Sequence, residues 1–118
     1  MTATAQPVDL AHLDRYTGGD RAINEEILVL FENHCREMLQ RLEGIASDPS
    51  AAKTWRETTH TLKGAARGIG AFPLADAAAE AEKAIPGDLA AALAALDRIK
   101  GESITVLTFI EDFLAHGG

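Results

Sequence analysis

Among the four histidines of this chain, His60 is the one whose surroundings suit it for chemistry. On a helical wheel that advances about 100° per residue, Lys53, Arg56, Glu57, Lys63, Gly64 and Arg67 all fall within about 60° of it. Leu62, Ala66 and Ile69 lie on the far side. A ring in that place is expected to face water. Four of the chain's 11 bases sit between residues 53 and 67, with Glu57 as the one acid among them, although the whole chain carries a net charge of -7. Neighbouring cations favour the neutral, nucleophilic form of an imidazole, and they can also meet an anionic group once the ring carries one.

Gly64 adds a steric argument. A glycine inside a helix costs roughly 1 kcal/mol relative to alanine, and this one falls a turn after His60 on the same exposed face, where core packing does not ask for it. Without a side chain beside the ring there is room for a bulky substituent or for another protein's backbone. Lys63, three residues after His60, places a flexible ammonium within reach of an anion on the ring. His12, His34 and His116 have no comparable pattern around them, and Cys35 keeps phase with Phe31, Met38 and Leu42 as a small core residue. Glu57-x-x-His60 matches the Glu-x-x-His element of di-iron bundles, but there is one such element where two are needed, and it points outward among cations. No metal site is expected.

Helices must position this face. Leu10 and Leu13 mark a short helix over 9–16 that stops at Thr17, Gly18 and Gly19. From the N-cap Asp20 to about Ala46, Ile27, Leu28, Phe31, Cys35, Met38, Leu42 and Ile45 recur at steps of three and four. After the break at Ser47, Asp48 and Pro49, a third helix over about 51–69 buries Trp55, Thr59, Leu62, Ala66 and Ile69. A fourth starts at Pro73 and runs through Leu74, Ala77, Ala78 and Ala81 to Ile85, closed by Pro86 and Gly87. Asp88 caps a fifth whose apolar side reads Leu89, Leu93, Leu96, Ile99, Val106, Leu107, Ile110, Phe113 and Leu114, with Gly101 as its weak point. No alternating run makes a strand. The expected class is all-α: an antiparallel four-helix bundle with a short additional N-terminal helix, one domain over residues 1–118.

His60-Thr61-Leu62-Lys63-Gly64, followed by Gly70-Ala71, Leu74 and Glu82, resembles the motif of histidine-containing phosphotransfer (HPt) domains of two-component phosphorelays, HxLKGxxxxxGAxxL with a downstream LE. Two positions depart from it. Ala81 stands where a larger apolar residue is usual, which bears on helix packing, and Gly68 beside Arg67 bears on where the third helix ends. The resemblance implies that His60 accepts a phosphoryl group from a receiver-domain aspartate and hands it to another, that Lys63 assists the phosphorylated state, and that Gly64 leaves room for it. It also implies receiver partners, including the receiver of a hybrid histidine kinase, that bring their own magnesium, so no cofactor is expected on this chain and no independent kinase activity. Arg56, Glu57 and Arg67 are candidate partner contacts from the wheel. The two arginines could hold phosphate, steer an acidic receiver pocket or be solvated surface charge.

Rival readings turn on particular residues. The phosphoacceptor region of a sensor kinase typically has an acid directly after the histidine and a proline five residues on, where this chain has Thr61 and Ala65. A non-catalytic module that docks on and inhibits a receiver or kinase would keep the bundle, but an intact His60 with Lys63 and Gly64 argues against it. No GxxxxGK[ST] or GxGxxG cradle for nucleotide phosphates occurs, and the acidic balance disfavours nucleic acid and anionic membranes. A single cysteine, no charged leader and no long apolar run give the expectation of a cytoplasmic protein, and one active imidazole per bundle with no heptad stripe left over for pairing gives that of a monomer.

Overall fold

Twenty-two alanines and only six aromatic residues in 118 positions favour helix over sheet. The computed structural model describes residues 6–84, 86 and 88–116. Among them it shows five α-helices and no strand: α1 Leu10–Thr17, α2 Arg21–Ile45, α3 Ala52–Gly68 after a 3-10 turn at Pro49–Ala51, α4 Phe72–Ala81 and α5 Leu89–Ala115. Three aspartates start helices. Asp9, Asp20 and Asp88 accept from the backbone N–H groups of His12, Ile23 and Ala91, satisfying donors that have no partner inside the helix.

The helices close around one apolar interior. α2 packs on α3 and α5, α4 packs on the same two helices, and α1 lies on α2. Leu28, Phe31, Cys35 and Leu42 of α2 meet Trp55, Leu62 and Ala66 of α3, Leu74 of α4 and Ile99, Val106 and Ile110 of α5 in that interior. Each large side chain so buried contributes about 1.5–3 kcal/mol. Burial pushes the Cys35 thiol up from its ordinary value, and its Sγ sits 3.6 Å from the Ser103 hydroxyl, which makes it an inert core group.

Polar ties fix the ends. Asn24 is buried between α1 and α2, accepting from the Thr17 hydroxyl at 2.6 Å and donating to Asp14 at 2.8 Å. The segment leading into α1 is tied to the end of α3 by a 2.9 Å bond from the Asp9 N–H to the Gly70 carbonyl. Gly70 has φ +81°, and a Cβ there would lie 2.6 Å from the Asp9 carbonyl oxygen. Only glycine combines that left-handed turn with so close an approach.

Three expectations need correction. Leu89 and Leu93 are about half exposed, while Ala92 is fully buried in their stead. The reason lies in α4, whose buried face is Ala75, Ala77, Ala78 and Ala81, so that α5 meets a row of small side chains with a small one of its own. α4 ends at Ala81, and the chain turns at Glu82 and Lys83; Ile85 and Gly87 lie outside the described residues. The Ala81 carbonyl, which a longer helix would offer to residue 85, instead accepts the Trp55 indole N–H at 2.8 Å and the Ala84 N–H at 3.1 Å. Finally, α5 runs through Gly101 without a break.

Candidate functional site

α3 divides cleanly into a dry side and a wet one. Trp55, Thr58, Thr59, Leu62 and Ala66 are buried, and Thr59 directs its hydroxyl back to the Trp55 and Arg56 carbonyls at 2.9 and 3.1 Å, so a polar residue is satisfied inside the core. His60, next in sequence, therefore points outward, with its side chain 68% exposed. Lys53, Arg56, Glu57, Gly64 and Arg67 are exposed around it, as the wheel required. No atom outside the helix's own backbone comes within 4 Å of a Cβ built on Gly64. The space beside the ring is open.

Lys63 is the residue whose setting differs from the bare wheel. Its side chain is only 20% exposed, and its ammonium pairs at 2.5 Å with Oε1 of Glu82, just past the end of α4. Glu82 Oε2 lies 3.4 Å from His60 Nδ1. One carboxylate thus bridges a lysine and the imidazole. The contact with the Lys63 ammonium holds the Glu82 carboxyl below its ordinary value, burial opposes this, and the His60 ring adds a smaller push in the same direction as lysine. The wheel of α3, on which Glu57 is the one acid near His60, is thereby extended by a second carboxylate from beyond α4, one oxygen of which is buried.

This arrangement has a chemical consequence. A neutral imidazole that donates its Nδ1–H to Glu82 keeps a lone pair on Nε2, the nitrogen farther from the backbone. The ring is 68% exposed, and nothing crowds the neighbouring Gly64. Glu82 entered the sequence reading only as part of the downstream string, because a wheel drawn for one helix cannot show a residue from the next. The available signal was an acid directly after the alanine face of α4, opposite the one lysine that leans to that side of α3.

Trp55 accounts for where Glu82 stands. It is fully buried, and its indole bond to the Ala81 carbonyl fixes the end of α4 against the first turns of α3. Ala81, small and fully buried, adjoins this large ring. On the opposite shoulder of α3, Glu57 and Thr61 line a shallow groove with Met38 and Arg41 of α2. Glu57 and Gly64 thus lie on the α2 side of His60, while Lys63 and Arg56 lie towards α4. Among the described residues no three His, Cys, Asp or Glu side chains gather as a metal-holding group.

A profile of the Hpt domain family matches residues 26–108, which take in most of α2, all of α3 and α4, and most of α5. The chain belongs to the Hpt domain family, whose members serve histidine phosphotransfer in two-component signalling. No curated protein and no solved structure matches it. Among the described residues no helix is long and apolar enough to cross a membrane.

Proposed function

We propose that this chain is a phosphocarrier of a two-component phosphorelay, built as an antiparallel four-helix bundle with α1 laid across one end, and that His60 is its phosphoacceptor. The observation that carries this reading is the exposed ring with Nδ1 against Glu82 and open space over Gly64. The Nε2 lone pair attacks the phosphorus of an aspartyl phosphate in line. The bond from phosphorus to the receiver's carboxylate oxygen breaks as the Nε2–P bond forms, and the carboxylate leaves. The ring, still protonated at Nδ1, becomes cationic. Glu82 balances that charge, which favours formation of the phosphohistidine without a proton being moved. Transfer to a second receiver runs the same steps backwards, with its aspartate as nucleophile.

Each residue around the ring has a part. Gly64 leaves room for the phosphoryl group and for the approaching receiver, and Lys63 steadies the phosphorylated state from its place beside Glu82. The receiver supplies magnesium and the acidic pocket, so the larger part of the electrostatic stabilisation of the transferring group comes from the partner. Arg56, Glu57 and Arg67 form the rim it meets.

Incubating the protein with a phosphorylated receiver tests the proposal. Acid-labile, base-stable label is expected on the wild-type chain and none on His60→Gln. Label that persists on His60→Gln, or that never reaches the wild type from any receiver of the same cell, favours a docking module without phosphochemistry.

A further inference from the structure

We infer that the outer flank of α5 is a contact surface for a second copy of this chain, the two α5 helices lying antiparallel about a two-fold axis. Leu89, Leu93 and Ile104 are exposed there, the last at 66%. The expectation of a monomer counted Leu89 and Leu93 as core, and the fold brings them out beside Ile104. On the wheel of α5, Leu93, Asp97 and Lys100 all fall within about 40° of Ile104, so they form one seam about 16 Å long. It runs along the shoulder towards α2, where the Lys100 ammonium meets Glu43 at 2.6 Å. The core side of this helix is already supplied by Ala92, Leu96, Ile99, Ser103 and Val106.

The order of residues along the seam names the partner. Leu93 with Ile104, and Asp97 with Lys100, share one midpoint, between Arg98 and Ile99. A two-fold axis through that midpoint lays Leu93 on the partner's Ile104 and Asp97 beside the partner's Lys100, and symmetry makes each contact twice. Apolar meets apolar and acid meets base, which fixes both register and direction. Asp97 has no ion partner among the described residues, and the Lys100 ammonium keeps donors free after its contact with Glu43. From Leu89 to Ile104, Asp97 and Glu102 balance Arg98 and Lys100, so this stretch is neutral in a chain of net charge -7 and a second copy meets little repulsion on it. The apolar groove of Val29, Leu30 and Leu114 differs: Glu25 and Glu26 line it and no base does, so a copy laid on itself there would face like charge. Gly101, on the adjoining strip of α5, has nothing within 4 Å of a built Cβ and lets a second backbone come close. α3 and α5 stand on a diagonal of the bundle, since α2 and α4 each pack on both. Pairing through α5 therefore leaves both His60 rings open, away from the seam.

Sedimentation equilibrium of the full chain tests this, with folding of each variant checked by circular dichroism. A seam of about three helical turns is at the small end of specific interfaces, so the wild type should move from one-chain towards two-chain mass between about 10 µM and about 1 mM. Ile104→Asp should weaken association about tenfold or more, because it places an unpaired acid in the seam. Asp97→Lys and Lys100→Asp should each weaken it as well, since each sets like charges face to face at both contacts. The decisive sample is an equal mixture of those two charge variants, in which lysine meets aspartate again at both contacts. The mixture should associate within about threefold of the wild type, while neither variant does so alone. Effects inside one chain, including loss of the contact with Glu43, are the same in the mixture as in the separate samples and cannot produce that rescue. A wild type that keeps one-chain mass up to about 1 mM, an Ile104→Asp variant that pairs as the wild type does, or a mixture no more associated than its components would overturn the inference.

Discussion

Replacing Glu82 by glutamine separates its charge from its shape. The side chain keeps its volume and an acceptor oxygen, but Lys63 and His60 lose the carboxylate between them. Lys63 and Glu82 are 20% and 21% exposed, so about four-fifths of each is out of water. That places the pair above the about 0.2–1 kcal/mol of exposed ion pairs and well below the about 3–5 kcal/mol lost when a sealed pair is broken. We expect Glu82→Gln to cost about 1–2 kcal/mol at pH 7, which for a domain of this size is a fall of roughly 4–10 °C in melting midpoint. The pH dependence carries the sign. The folded state holds the Glu82 carboxyl below its ordinary 4.5, so its contribution is fully present above that value and is lost as the pH falls through the lower, folded-state value. Melting curves of wild type and Glu82→Gln, followed by circular dichroism from pH 3 to pH 7, should therefore separate at the neutral end and converge at the acid end. All other carboxylates are common to both proteins and cancel in the difference. A gap of constant size across that range, or none at pH 7, would refute the argument that Glu82 acts through its charge.

Other outcomes follow from single contacts. Gly64→Leu should fold with a melting midpoint at or above the wild type, since glycine costs the helix about 1 kcal/mol and nothing crowds the position, yet it should slow phosphotransfer; unchanged transfer kinetics would contradict the clearance argument. Gly70→Ala should lose about 1–3 kcal/mol in denaturant titrations from its positive φ and its clash with Asp9, whereas an unaltered denaturation midpoint would mean that the Pro7–Asp9 segment shifts freely. Trp55→Phe removes a 2.8 Å hydrogen bond and part of a buried ring, for a loss of about 2–3 kcal/mol, and it should also slow transfer because the end of α4 carries Glu82. Slowed transfer with normal stability, or the reverse, would uncouple the two roles assigned to that side chain.

Much of this was legible because helical periodicity is a local property. The buried face of α3, from Trp55 to Ile69, and the outward turn of His60 both follow from residue spacing within one helix. The start of α5 did not follow, because hydrophobicity ranks Leu89 and Leu93 above Ala92, whereas the alanine face of α4 leaves room at that interface only for a small side chain. The end of α4 was misplaced for a related reason: its last free carbonyl is taken by a tryptophan from another helix. The buried Asn24 with Thr17 and Asp14, and the bridge from Lys63 through Glu82 to His60, are contacts between helices as well. A periodic pattern records which way a side chain points, and it is silent on what waits there.

The carboxylate behind the ring gives this architecture a tuning point that lies outside its signature pentapeptide. With His60 as the proposed phosphoacceptor, an amide, a hydroxyl or a shorter acid at position 82 would alter how readily the imidazole gives up its cargo, while leaving the outward-facing surface seen by a visiting protein untouched. How tightly the group is held and who comes to collect it can thus be set by different residues, so bundles with identical recognition strings need not sit at the same rung of phosphoryl-transfer potential.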